Sequence, residues 1–472
     1  MSITSALNSA SAGLRVQQTL SRVAAENVAN ATTEGYTRRS ATVVSTSVTG
    51  GVSVGEVRRE VDTSLQRMAR LENARMSEQQ AIYEGLRDYS IFLGELGDGN
   101  SPAERYAEFS STMTTLVNMP SSSGAQAGAI LAAENLISSI NHASERLASV
   151  RANVDMEIRY EVSDLNEKLY ELADLNTKLH SLSPNSFESV AYSDRVEQIV
   201  DDISSMVDVR VSHSSSGWIS VYTTGGAALM EGDRVYDITF NQGDGTFWAG
   251  SQEITPTNSS VRGIEHGTLS GFAYLRNETI PTFQLQLDEF ARGLIQAFEN
   301  ADTSLGAADA GLFTDNGGRF DAANLNGLAS RISINSRVEG AATGTSWLIR
   351  DGLAATSESE NVSDATQIQA FITAMNSDMN ADPMTGINSS VSLADYAAEM
   401  ISSQGTTTAR AENNYNAARS AAEVVEASRR NIEGVSIDEE MQNLMLIEQS
   451  FAANSQMLST IGEMIDTLLA IF

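Results

Sequence analysis

The clearest helical patterns of this 472-residue chain lie at its two extreme ends, where most chains fray. Positions 3, 7, 10, 14, 17, 21, 24 and 28 are Ile3, Leu7, Ala10, Leu14, Gln17, Ser21, Ala24 and Val28. Six of these eight are apolar, and Leu20 and Val23 broaden the stripe. At the other end, positions 437 to 472 step through Ile437, Met441, Leu444, Glu448, Phe451, Ser455, Leu458, Gly462, Ile465, Leu469 and Phe472. Eight of these eleven are apolar, a coiled-coil-like seam of about five heptads. Two such faces, distant in sequence, are expected to pair with each other and with copies of themselves. A lone helix of this kind is marginal in water, so the ends are expected to order only when subunits meet.

Charge supports the pairing. The whole chain carries a formal −31, which disfavours binding to phosphate backbones. Residues 1–76 nevertheless hold nine arginines against six acids, whereas 437–472 hold six acids and no Lys or Arg. Opposite signs favour approach of the two ends; solubility alone also accounts for the acidity. There is no cysteine, which excludes disulfides, thiolate metal sites and Cys nucleophiles. No basic n-region or continuous apolar stretch marks Met1–Leu20 as a cleaved signal peptide. No run reaches the ~18–20 apolar residues that a membrane span needs. Export, if it occurs, is expected to use another route.

Between the ends the pattern is mostly helical. Val43, Val48, Val52, Val54 and Val57 interleave with Ser, Thr and Gly over 40–62, an extended hairpin. Helix is expected from Asp62 to Val117 with a break around Gly97–Pro102, then from Ala125 to Leu182, and again from Ser193 to Met206. Strand-like Val209–Val211, Trp218–Tyr222 and Tyr236–Phe240 form a small antiparallel β insert. Helix returns over 267–300, with Pro281 in its first turn. Residues 301–388, rich in Gly, Asn, Asp and Ala, read as loop with short strands and helices. Helix resumes from Ser392 to Arg430. Ser436-Ile437-Asp438-Glu439 reads as a capping box in which Ser caps and Glu reaches back.

The fold class is therefore mainly α: a long helical bundle with paired N- and C-terminal coiled-coil-like helices and a small antiparallel β insert. The nested units are 1–35 with 436–472, a terminal assembly domain; 36–206 with 267–300 and 390–435, a helical bundle; 207–266, the β insert; and 301–389, a reduced irregular outer segment.

Nothing assembles into a catalytic constellation. His142, His180, His213 and His266 have no i,i+3 or i,i+4 partner, so a zinc site is not expected. Gly51-Val52-Ser53-Val54-Gly55 matches a nucleophile-elbow pattern, but it sits in an extended stretch with no helix after it. Asn241–Gly245 and Asp315–Gly318 read as hairpin turns. Asp201-Asp202 and the acids at 438–440 read as helix-start acids rather than cation ligands. No cofactor is expected.

The segment Asn27-Val28-Ala29-Asn30-Ala31-Thr32-Thr33-Glu34-Gly35-Tyr36-Thr37-Arg38 follows the first helix. Gly35 marks a turn, and Tyr36 and Arg38 are residue types favoured at interfaces. The segment resembles the N-terminal signature of bacterial flagellar rod, hook and hook-associated proteins, matching at Asn27, Ala29, Asn30, Thr33, Gly35, Tyr36 and Arg38. Glu26 departs where Asn is usual. Gly434-Val435-Ser436-Ile437-Asp438-Glu439-Glu440-Met441 and the tail after it resemble the same group. The combination is most similar to the hook-associated protein 1 (FlgK) family of hook–filament junction proteins. Gly267–Gly271 to Arg276 is also similar to that family.

The resemblance implies a non-enzymatic structural protein of the extracellular flagellum, exported through the flagellar type III apparatus. It implies a ring of copies of itself between hook and filament, with the hook protein and hook-associated protein 3 as neighbours. It further implies an export chaperone on the C-terminal helix. The implied assembly residues are Ile3, Leu7, Leu14, Leu20, Asn27, Asn30, Gly35, Tyr36, Arg38, Met441, Leu444, Phe451, Leu458, Ile465 and Leu469. Many family members carry a larger β domain near 301–390, which this chain lacks or reduces. A rod or hook protein is the nearest alternative; an extracellular coiled-coil adhesin and a helical enzyme are the readings from other classes.

Overall fold

The computed structural model describes residues 3–33, 35–46, 51–93, 101–256, 262–340 and 344–470. Glu34 of the loop signature, Val48 of the hairpin, Gly97 at the helix break and Phe472 at the end of the seam fall outside the described residues. The chain opens with α1 (Ile3–Ala29) and an antiparallel hairpin, β1 (Arg39–Ser45) and β2 (Val52–Arg59). Four helices follow: α2 (Thr63–Leu93), α3 (Pro102–Asn118), α4 (Ser123–Ser181) and α5 (Phe187–Met206). At 59 residues, α4 runs roughly 90 Å and is the spine of the molecule. Helix α3 begins with a complete capping box, Ser101 with Glu104.

Helix α5 begins six residues earlier than the sequence pattern suggests. Pro184 and Asn185, the latter at φ 58°, end the α4 turn, and Ser186 caps the new helix at once by accepting from the Ser189 amide.

The β insert is two small sheets. One contains β3 (Val209–His213), β4 (Ile219–Thr223), β5 (Ala228–Glu231) and β6 (Arg234–Val235). The other contains β7 (Ile238–Asn241), β8 (Thr246–Ala249) and β9 (Gln252–Glu253). Two asparagines of α4 hold them. Asn176 Nδ2 donates to the carbonyls of Ile219 and Gly232 while its Oδ1 accepts from the Ile219 amide. Asn166 exchanges the same pair of bonds with Ile238. A side-chain amide carries both a donor and an acceptor, so each substitutes for one rung of a strand ladder.

A buried Arg276–Asp155 ion pair, 2.5 Å, ties the β7–β8 turn to α4, because Arg276 also donates to Gln242 O. At the base of the insert, His266 Nδ1 lies 2.6 Å from Glu78 Oε2 on α2. The hydrogen bond to Glu78 raises the His266 pKa above its ordinary value; Asp208 adds to this, while burial and Arg75 oppose it. The contact therefore stabilises fully below about pH 6.5 and is lost as pH rises through the raised value. The stability gap between wild type and His266→Gln in urea unfolding is expected to be largest below the ordinary histidine pKa of about 6.5 and to close as the pH rises through the raised value. A gap independent of pH would refute the latch.

Helix α6 (Thr268–Tyr274) continues through a π turn, Leu275–Thr279, into α7 (Ile280–Ala301). Pro281 stands in the first turn of α7, where the sequence reading has it, but the helical run does not break before it. It lies inside a continuous helical run, and the π turn immediately before it absorbs the proline's steric conflict with the preceding turn.

The remaining elements are β10 (Phe313–Asp315), α8 (Leu328–Arg331), β11 (Ile332–Ile334), α9 (Leu348–Asp351), α10 (Thr366–Met375), β12 (Asp378–Asn380) and β13 (Ser390–Ser392). Their backbone is irregular, yet they are not outside the bundle. Phe313, Leu328, Leu348, Ile349, Ile368 and Phe371 are buried in the same core as α3, α4 and α7. The chain ends with α11 (Leu393–Glu433) and α12 (Ile437–Leu469). Helix α11 packs along α2, and small residues are buried on both, Ala411 and Ala422 on α11 and Ala69 and Ala74 on α2. Helix α12 pairs with α1.

Candidate assembly site

The loop after α1 joins three parts of the molecule. Asn27, fully buried, is its keystone. Its Nδ2 donates to Arg39 O at 2.9 Å, and its Oδ1 accepts from the Arg39 amide at 3.0 Å and from the Tyr36 hydroxyl at 2.9 Å. Burial pushes the Tyr36 hydroxyl up to about 12. Among the described residues the side chain of Asn30 makes local bonds only, to Glu26 O and Thr33. Gly35 is at φ 73°, where a Cβ would also sit 2.6 Å from Gln198 Nε2.

Arg38 clamps the elbow between α11 and α12. Its amide donates to Glu433 O at 2.8 Å, and its Nε lies 2.9 Å from Glu440 Oε1, a carboxylate only 4% exposed. Glu439 does not close the capping box: Ser436 caps the Glu439 amide, but the Glu439 carboxylate turns to Arg38, 3.7 Å away.

Among the described residues, opposite charge joins the two ends only at this point. Three other arginines of the N-terminal region, Arg39, Arg59 and Arg70, serve α5. Arg39 and Arg59 meet Asp194 at 2.8 and 2.7 Å. Arg59 also reaches Glu197 at 3.7 Å, and Arg70 pairs with Glu197 and with Asp201 at 2.6 Å. Asp201 also holds Arg429 of α11 at 2.8 Å. Asp201 and Asp202 thus lie in the last turns of α5 rather than at a helix start, and Asp202 takes Lys168 at 2.9 Å. Burial opposes the charge on Arg429, but Asp201 and Glu433 outweigh it and hold its pKa above the ordinary arginine range. An open polar cleft of about 950 Å³ borders this row between Tyr36, Gln198 and Glu433.

Helices α1 and α12 run antiparallel away from the elbow. Gly13 faces Asn454, where a Cβ would come within 3.0 Å of the amide tip. Counting outwards from that contact, Ile3 comes level with Met464. The inward positions are Ala10, Gly13, Val16, Val23, Ala24 and Asn27 on α1; on α12 they are Glu440, Leu444, Ile447, Asn454, Leu458, Ile461 and Ile465. This is a heptad seam, turned by one position from the stripe of apolar residues. The inward positions include a glycine, a glutamate and two asparagines, which an apolar count passes over.

Ile3, Leu7, Leu14, Leu20, Asn30, Tyr36, Arg38, Leu444, Leu458 and Ile465 are half-buried. Gly35, Met441, Phe451 and Leu469 are exposed, Leu469 at 70%. Helix α12 buries only Glu440 and Ile461, while Ile437, Met441, Met445, Leu446, Met457, Met464 and Leu468 all stand largely in solvent.

Residues 93–313 match the family described as the helical domain of the flagellar hook-associated protein FlgK. Residues 431–471 match the C-terminal region of the flagellar basal body rod proteins FlgEFG. Over 98% of its length the chain is 22% identical to flagellar hook-associated protein 1 of Bacillus subtilis (strain 168), and the match covers 97% of that protein. The chain is a relative of the FlgK hook-associated proteins. A solved structure, the flagellar hook junction protein FlgK from Burkholderia pseudomallei, is similar at 20% identity and TM-score 0.45. That match covers 52% of this chain and 46% of the other, so it spans under half of that structure's length. The FlgK helical-domain match spans α3 to β10 and separates the chain from the rod and hook proteins, with which it shares the tail.

The remaining chemical motifs resolve as structure. Ser53 lies near the start of β2, opposite Val44, with six more strand residues after it rather than a strand-to-helix turn. Asn241–Gly245 is the β7–β8 turn, and Asp315–Gly318 closes a tight turn after β10. Among the described residues no three His, Cys, Asp or Glu side chains are grouped to hold a metal ion, and no helix is long and apolar enough to cross a membrane.

Proposed function

We propose that this chain is a structural subunit of the bacterial flagellum that builds the ring between hook and filament, its terminal helices packing on those of neighbouring copies. The observation that carries this reading is the exposed apolar surface of α12. Seven large apolar side chains, from Ile437 to Leu468, are each between 46% and 62% exposed on one helix. Exposed apolar side chains in this number, on both flanks of the one buried stripe, mark a protein contact. Each Leu, Ile or Met buried there contributes roughly 1.5–3 kcal/mol, enough in sum for lateral packing to order the ends.

The fifteen assembly residues named from the sequence belong to this reading in two roles. Asn27, Asn30, Gly35, Tyr36 and Arg38 belong to the elbow loop and its helix end, and the α1 and α12 residues supply the packing surface. The four nested units, with 1–35 and 436–472 as the terminal one, are part of the same proposal. So are the hook protein and hook-associated protein 3 as neighbours, a chaperone on α12, export without a cleaved signal, and the absence of catalysis.

Phe451 is 40% exposed on α12. Phe451→Asp places a charge in the packing surface and is expected to abolish incorporation into flagella while leaving the bundle's near-ultraviolet circular dichroism unchanged. Normal incorporation of that variant would sink the proposal.

A further inference from the structure

The ion pairs at the elbow form one continuous row. Asp194, Glu197 and Asp201 lie at i, i+3 and i+7, one face of α5. Each takes two arginines, so positive and negative groups alternate without a break from Arg39 through Arg59 and Arg70 to Arg429. Both ends of the row close on segments that lead to the terminal helices. Arg39 reaches Glu26 of α1 at 3.0 Å, and Arg429 reaches Glu433, the last residue of α11, at 2.9 Å. The four arginines are 10–13% exposed.

Apolar packing at the same place is slight. Val23, Val57 and Val190 form a small cluster separate from the main core, with Ala41 and Phe187 beside it.

We propose that this charge row is an electrostatic joint: it sets the angle at which the β1–β2 hairpin, and with it the exit of α1, stands on the bundle, and it loosens as ionic strength rises. Three physical points support this. Ion pairs set this far out of solvent gain little net stability after desolvation, so their main effect is to select one arrangement. Arg59 Nε and Asp194 Oδ1 lie 2.7 Å apart without in-line hydrogen-bond geometry, so charge more than direction holds them and small rotations cost little. The row also touches both chain segments that lead to the ends, so a change on α5 is felt by α1 and α12 together. The joint is a property of the single subunit and does not require assembly.

The chain has no cysteine, so Ser45→Cys on the hairpin and Ser163→Cys on α4, both exposed, can carry a pair of spin labels in the full-length protein. At about 0.05 M NaCl the interspin distance distribution is expected to be single and narrow. It should widen about two-fold or more near 1 M NaCl, where the screening length falls to about 3 Å. The Asp194→Asn/Glu197→Gln double variant should be equally wide at low salt with unchanged helix content, and Val57→Ala should stay narrow.

A width that neither salt nor the double variant moves would overturn the proposal, as would a wild type already broad at low salt. Broadening in Val57→Ala would assign the angle to the apolar cluster instead. Should the double variant fail to fold, the salt titration of the wild type decides alone.

Discussion

Replacing Phe298 with alanine should cost the bundle about 3–5 kcal/mol and lower its Tm by roughly 10 °C. Phe298 is fully buried on α7, its ring 5.7 Å from Phe109, 4.9 Å from Phe313 and 4.9 Å from Phe371. These four rings come from α3, α7, β10 and α10, so the cluster binds the irregular 301–389 segment to the helices on either side of it in sequence. Removing the central ring leaves a cavity that partners fixed on three different elements cannot close together. Phe298→Leu should recover more than half of the loss. The measurement is thermal unfolding followed by near-ultraviolet circular dichroism, with hydrogen exchange resolving whether α3 and α10 loosen together. A loss below about 1 kcal/mol would mean that 301–389 is only loosely attached, as an outer appendage would be. The ring cluster instead makes that segment part of the body that presents the terminal helices.

The contrast with the sequence reading is instructive at this segment. A stretch rich in Gly, Asn and Ala shows no periodicity, so it reads as irregular, and its backbone is. Periodicity says nothing about where isolated apolar residues such as Phe313, Ile368 and Phe371 point, and all three enter the core. Long-range charge pairing was equally hidden. The terminal sign difference was visible in composition, but Arg39 finds Asp194 across 155 positions and Arg70 finds Asp201 across 131, separations that local spacing does not encode. The terminal helices themselves were legible because a heptad pattern is a local signal. Their phase was not, because Gly13, Glu440 and Asn454 face inward. Arg38 explains why Glu440 is tolerated there, and close approach of the two backbones explains Gly13. Asn166 and Asn176 left no signal at all: an asparagine on a long helix looks like surface until the strand it completes is in place.

Asn27 and Asn30 look alike in the sequence, three residues apart at the end of one helix, yet their substitutions should differ several-fold in effect. Asn27→Leu keeps the volume but removes one donor and one acceptor that together satisfy the Arg39 amide, the Arg39 carbonyl and the Tyr36 hydroxyl. Each buried group left unpaired costs about 1–3 kcal/mol, so a total near 3 kcal/mol or more is expected even with some rescue by water. Asn30→Ala removes bonds to Glu26 O and Thr33 at the half-buried and exposed end of the helix and should cost under about 1 kcal/mol. Asn27→Asp retains the acceptor, loses the donor to Arg39 O and adds a buried charge beside Glu26, so it should fall between the two. The readout is amide exchange at Arg39, accelerated most in Asn27→Leu, together with incorporation into flagella, lost in Asn27→Leu and kept in Asn30→Ala. The loop fixes where α1 leaves the hairpin, and Arg38 on the same loop fixes where α12 leaves α11, so a loosened Asn27 should misplace both halves of the packing surface at once. Equal exchange rates in the two variants would mean that Asn27 merely fills space, and the elbow would then have to be held by Arg38 and the α5 acids alone.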